Sequence, residues 1–271
     1  MSMITNLRRV LQTGGIVGGL LALSAPTIAS AMTPTEPSTH SRSSSAGSSR
    51  VDEPSGVDEL CGDLVRIEVD GPDLCSPGPE TVPGVLADGP ARPLPESVAR
   101  AHVAAHPIVC EGDGEDGKRV QVLYAREESQ DSRYEHFLPS FRAWSHEIDA
   151  AYNDSAAQTG GSRHIRWVTE EAGDGCRIRV EEAVLPDGAL ESWDTMIPAL
   201  QEQGYSSPDR KYLVYADAQA VCGVGTLYPD DRPGPDNPNN TNTGYARVDA
   251  TANCWGFNAA GHELGHTFGA V

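Results

Sequence analysis

From residue 118 onward the chain alternates between short apolar runs and longer stretches with a helical beat. Residues 120–124, 164–168, 176–180, 212–216 and 245–248 are rich in β-branched and aromatic side chains and read as five strands. Between the first two, Phe137, Phe141, Trp144, Ile148 and Tyr152 recur at spacings of four, three, four and four, which predicts one amphipathic helix. Asp131 and Ser132 offer its cap, and Gly160 with Gly161 ends it. Trp193, Met196, Ile197 and Leu200 mark a second helix closed by Gly204, with Pro198 acceptable only in a first turn. Residues 228–244 are a Pro/Asp/Asn loop, and a last helix starts near Asn258 as its cap. Strands interleaved with helices in this order imply an α/β or α+β fold around a mixed sheet.

Upstream the rhythm weakens. Residues 59–117 carry one alternating stretch at 65–69 and a turn or two of helix at 97–105, set among prolines and glycines. They read as a cysteine-containing N-terminal extension or a propeptide. Residues 32–58 are Ser, Thr and Pro with almost nothing to bury, a linker by composition. Residues 1–31 have the form of a secretory signal peptide: Arg8 and Arg9, an apolar core from 10 to 23, and Ala29-Ser30-Ala31 as the cleavage site. No later run is long and apolar enough to span a membrane, so the mature protein is expected to be secreted and free of the membrane.

Export makes the cysteines legible. Cys61, Cys75, Cys110, Cys176, Cys222 and Cys254 are an even set, expected to form disulfides outside the cell. We expect Cys61–Cys75 across a short loop and Cys222–Cys254 bracing the segment before the last helix, leaving Cys110–Cys176. An even set leaves no thiolate to cap a metal. Charge narrows the partners. The chain holds 20 basic and 39 acidic residues for a net charge of −19, and losing the leader with its two arginines deepens this to −21. Such a surface repels phosphate backbones and excludes nucleic acid as a partner. Asp230, Asp231, Asp236, Asn237, Asn239 and Asn240 crowd one loop with the oxygen donors calcium prefers, although EF-hand spacing is absent.

The chemistry concentrates at 262–269, His-Glu-Leu-Gly-His-Thr-Phe-Gly. His262 and His266 are four apart, so a helix places both imidazoles on one face within reach of a single zinc ion. Glu263 is turned about 100° away and is placed to take a proton from a water rather than to ligate. Gly269 is suited to end the helix. No serine-nucleophile elbow, P-loop or dinucleotide fingerprint competes with this reading. His102, His106 and His164 are further candidates for a ligand, while His136 and His146 read as solvated on the outer side of the aromatic helix.

The motif resembles the active-site helix of the metzincin clan of zinc endopeptidases. Several stretches, among them Arg119 to Arg126, Pro139 to Trp144, Gly160 to Arg166, Asp209 to Val214 and Tyr245 to Asp249, are also similar to a group of uncharacterised secreted bacterial proteins. The metzincin resemblance implies an N-terminal subdomain at 118–271: a mixed five-stranded sheet, a backing helix and an active-site helix on the cleft floor. It also implies zinc as cofactor, protein or peptide as substrate, and a monomer. The family's third histidine would follow Val271, and its Met-turn would lie further on. The 271-residue chain is therefore expected to be a copy truncated within the active-site helix, inactive or nearly so. Two other readings stay open: a non-catalytic secreted binding domain of this fold, and an extracellular structural protein whose H-E-x-x-H is coincidental.

Overall fold

A computed structural model of the protein describes residues 60–69, 73–79, 89–173 and 175–270. The leader at 1–31 and the linker at 32–58 lie outside the described residues. The elements run β1 (Val65–Ile67), β2 (Leu74–Ser76), α1 (Glu96–Ala105), β3 (Arg119–Glu127), α2 (Tyr134–Ala157), β4 (Thr169–Ala172), β5 (Gly175–Ile178) and β6 (Val180–Leu185). They continue with α3 (Trp193–Glu202), β7 (Arg210–Ala216), β8 (Gly223–Gly225), α4 (Pro238–Thr241), β9 (Gly244–Asp249) and α5 (Phe257–His266). Among the described residues the main sheet has five strands in the order β6-β3-β7-β9-β8. Its first four strands are parallel, and β8 runs antiparallel to β9. The class is thus mixed α and β around a mixed five-stranded sheet.

The central strands are apolar on both faces because helices cover both. Along β3, Val120, Val122 and Tyr124 enter one core, while Leu123 and Ala125 enter the other. Strand β7 divides likewise, with Leu213 and Tyr215 on one side and Tyr212, Val214 and Ala216 on the other. The first core is closed by Phe137, Phe141, Trp144 and Ile148 of α2 and by Ala259, Ala260 and Leu264 of α5. Trp255 stands edge-on to Phe137 and Phe141, with centroids 4.9 and 5.2 Å away, and so joins the approach to α5 to the α2 stripe. The second core is closed by Met196, Ile197 and Leu200 of α3, with Ile67 and Leu74 from the β1/β2 pair.

Several elements depart from the sequence expectation. The stretch 164–168 is not a strand. Only Trp167 bridges Val120, because β6 takes that side of β3 from Val122 onward. The run expected at 176–180 divides at Arg179. Its first part forms the β4/β5 hairpin, and the chain after the break becomes β6, whose two glutamates interrupt the apolar pattern. Helix α2 starts later than Asp131 and Ser132 suggest, with Arg133 at the cap position and Ser132 Oγ accepting from the Tyr134 N–H. Asn258 lies inside α5, whose cap is Gly256. Pro198 sits beyond the first turn of α3, where the carbonyl it leaves unbonded belongs to exposed Asp194. His146 is buried rather than solvated, because α1 packs over that face of α2. Its Nδ1 lies 2.6 Å from the His106 carbonyl, and burial pulls its pKa below the ordinary histidine range.

Helix α3 has a cap that the sequence reading overlooked. Ser192 Oγ accepts from the Thr195 N–H at 3.3 Å, and Thr195 Oγ1 accepts from the Ser192 N–H at 3.2 Å. Ser192→Ala is expected to cost about 1 kcal/mol of stability, read as a lower urea midpoint at unchanged slope.

Three disulfides pair Cys61–Cys75, Cys110–Cys176 and Cys222–Cys254, the partners expected from the sequence. They fit a protein that folds in an oxidising compartment. Among the described residues no helix is long and apolar enough to cross a membrane.

Candidate metal centre

Helix α5 is held at close range by α2. The Tyr152 hydroxyl donates to the Gly261 carbonyl at 3.0 Å, and a Cβ at Gly265 would lie only 3.2 Å from that hydroxyl oxygen. Gly265 is therefore the small residue that lets α2 approach so closely, whereas a Cβ at Gly261 would meet Ile148 at an ordinary contact distance of 3.5 Å. Burial raises the Tyr152 pKa above the ordinary phenol range, so it stays a donor at any working pH. The helix ends where Gly269 takes φ +90°. The Gly269 N–H then donates to His266 O and the Ala270 N–H to Gly265 O, a Schellman arrangement.

That ending bears on the motif. His266 Nδ1 lies 2.7 Å from the Ala270 carbonyl, so this nitrogen carries the proton and Nε2 is left as the basic atom. His266 Nε2 is 3.3 Å from His262 Nε2. Two nitrogens each about 2.0–2.1 Å from one tetrahedral zinc would be about 3.3 Å apart, so the donor pair fits that ion. Glu263 is fully buried, with Oε2 3.9 Å from His266 Nε2. His262 is half-buried and His266 almost fully buried.

Strand β8 forms the wall over Glu263. Its sequence is Gly-Val-Gly, and both glycines face the helix. A Cβ at Gly223 would sit 2.7 Å from Glu263 Cγ and Cδ. One at Gly225 would sit 2.6 Å from the Glu263 carbonyl oxygen and 2.8 Å from His266 Cβ. The strand is fixed at its start by Cys222–Cys254 and by Asp249. Asp249 accepts from the Ala220 and Val221 N–H groups at 2.7 and 3.0 Å and binds the Arg247 guanidinium. Just beyond β8, Leu227 pairs antiparallel with Cys75, which ties the β1/β2 pair to the same edge.

Sequence reasoning overlooked Gly223, Gly225, Arg247 and Asp249. A charged Arg-x-Asp pair inside an otherwise buried strand was the signal available for the last two. Two of the other candidate histidines are placed elsewhere. His102 pairs with Glu147 and His164 with Asp149, each at 2.8 Å. Among the described residues no group of three or more His, Cys, Asp or Glu is arranged to hold a metal, and there is no free cysteine. In the loop after β8, Asp230 clasps Arg232, while the Asn237 and Asn239 amides bond backbone groups of 228–232 and 239. The side-chain oxygens of Asp230, Asn237 and Asn239 thus brace the loop itself.

Comparison with known protein families, with curated proteins and with solved structures finds no match to this chain.

Proposed function

We propose that the chain carries the metal-binding helix of a secreted, metzincin-like zinc endopeptidase that cleaves protein or peptide amides. The observation that carries this reading is the 3.3 Å separation of the two Nε2 atoms, with the Glu263 carboxylate beside them. His262 and His266 hold the ion, and the Ala270 carbonyl keeps the His266 proton on Nδ1. Zinc, when bound, supplies a Lewis acid that polarises a carbonyl and acidifies water. Glu263, shielded by β8, accepts the proton of the attacking water and later delivers it to the leaving amine.

Catalytic zinc usually has three protein ligands, and among the described residues His262 and His266 are the two brought together here. The 271-residue chain is therefore expected to bind about one zinc, weakly, and to hydrolyse peptides slowly if at all. Zinc titration of the purified chain tests the reading. His262→Ala is expected to weaken binding about 100-fold, and Glu263→Gln to leave it intact. Absence of zinc binding, or binding indifferent to His262→Ala, would sink the proposal. Chelator-sensitive proteolysis lost in Glu263→Ala would support the assignment and show the low-activity expectation wrong.

A further inference from the structure

A cavity beside the end of α5 has chemistry of its own. It has a volume of about 440 Å³ and lies where the chain enters β3 and β7. Lys118, Arg119, Arg163, Arg166, Arg210 and Lys211 line it, against one acidic residue, Asp209. These include both lysines of a chain whose net charge is −19. So strong a cationic concentration on an acidic protein runs against the average field.

The cations at its floor are held mainly by carbonyls, which orient a charge without cancelling it. Arg119, 4% exposed, donates to the carbonyls of Glu111, Asp116 and Trp167 at 2.7, 3.0 and 2.9 Å. Lys211, 7% exposed, donates from Nζ to the Asn242 carbonyl at 2.8 Å. Its end fits against Gly244, where a Cβ would stand 3.2 Å from Nζ. Arg210 donates to the carbonyls of Glu115 and Gly117, with the Glu115 carboxylate 3.8 Å away, and Arg166 pairs with Glu111. Arg163 is exposed at the rim. Counting Asp209, Glu111 and Glu115 against the six cations leaves the cavity positive. Part of its remaining wall is apolar, with Ile165 and the Tyr152 and Phe268 rings, which meet edge-on at 6.0 Å, and part is polar, with His164 and three asparagines.

We propose that this cavity is a binding site for a small oxyanion attached to an apolar ring, a carboxylate or a phosphate monoester. Lys211 and the rim arginines hold the anion, and Tyr152, Ile165 and Phe268 receive the ring. The electrostatics agree with the geometry. Burial, with the like charge of Lys118 second, pulls the Lys211 ammonium down to about 7. The groups facing it are Lys118 ahead of β3, Tyr228 after β8, whose ring centroid is 5.8 Å from Nζ, and Arg210 on its own strand. A bound oxyanion supplies the counter-charge this ammonium lacks, so binding near neutral pH takes up protons.

The test is calorimetric titration of the full chain, without added metal, with phenyl phosphate, phthalate, inorganic phosphate and neutral benzamide. The result is therefore independent of the zinc reading. Phenyl phosphate or phthalate is expected to bind with a sub-millimolar dissociation constant, the tighter one naming the anion. Binding should weaken at least tenfold in Lys211→Met and several-fold in Arg163→Gln. The binding enthalpy should also vary with buffer ionisation. Arg163 is exposed, so its variant keeps the test valid if Lys211→Met fails to fold. Failure of both ring anions to bind, benzamide binding equally well, or undiminished affinity in a folded variant would each overturn the proposal.

Discussion

Asp249→Ala is expected to cost about 3–5 kcal/mol of folding stability, the loss typical of a buried ion pair broken on one side. Asp249 is fully buried and Arg247 is 2% exposed, with Nε 2.7 Å from Oδ1 and Nη2 3.2 Å from Oδ2. The same guanidinium donates to the Leu190 carbonyl at 2.7 Å, which ties the end of β9 to the segment before α3. Removing the carboxylate strands a guanidinium where water cannot reach it, and two backbone N–H groups at Ala220 and Val221 lose their acceptor. The pair itself need not be strongly stabilising, since desolvation offsets much of its attraction. Urea unfolding of Asp249→Ala beside the double variant Arg247→Met with Asp249→Ala separates the two contributions. We expect the double variant to be the more stable of the two, because no buried charge is left alone. An equal or larger loss in the double variant would place the effect in the Ala220 and Val221 amides instead.

What the sequence made legible follows from which forces act locally. The strands at 120–124, 212–216 and 245–248 were readable because both faces are buried, which leaves continuous β-branched and aromatic runs. The aromatic helix was readable because its stripe keeps helical spacing through Tyr152. Strand β6 was hidden by Glu181 and Glu182, which an edge strand can carry on its pleats toward solvent and toward Arg126 and Arg179. Strand β8 was hidden because it has two glycines and owes its conformation to β9 and α5, not to propensity. The burial of His146 depended on α1 packing across α2, a long-range event with no local signature. At the site, the fourfold spacing of His262 and His266 was visible from the chain alone. The partner that sets the tautomer of His266 and the wall over Glu263 come from a helix end and a strand that only folding brings together.

Gly225→Ala is expected to cost about 3 kcal/mol and to loosen the proposed metal site with it. Gly225 shows no left-handed backbone angle, so an alanine there meets no conformational penalty, and the whole effect must come from contact. The added carbon would lie 2.6 Å from the Glu263 carbonyl oxygen, 2.8 Å from His266 Cβ and 3.0 Å from His266 Cδ2. Two of these belong to the backbone and the root of a side chain, so no rotamer change relieves them; β8 or α5 must shift. At Gly223 the obstruction is the Glu263 side chain, which can swing, so Gly223→Ala should cost less stability. It should instead disturb the position of the carboxylate. Gly175→Ala meets nothing within 4 Å and serves as the control, expected within about 0.5 kcal/mol of the parent. Urea midpoints and zinc affinity measured on the three variants test the ordering. Gly225→Ala indistinguishable from Gly175→Ala would mean that β8 does not pack on the motif helix as described. The expected ordering would instead tie the Gly-Val-Gly stretch directly to the geometry of His266 and Glu263. The glycines would then be required by the closeness of the strand that covers the Glu263 carboxylate.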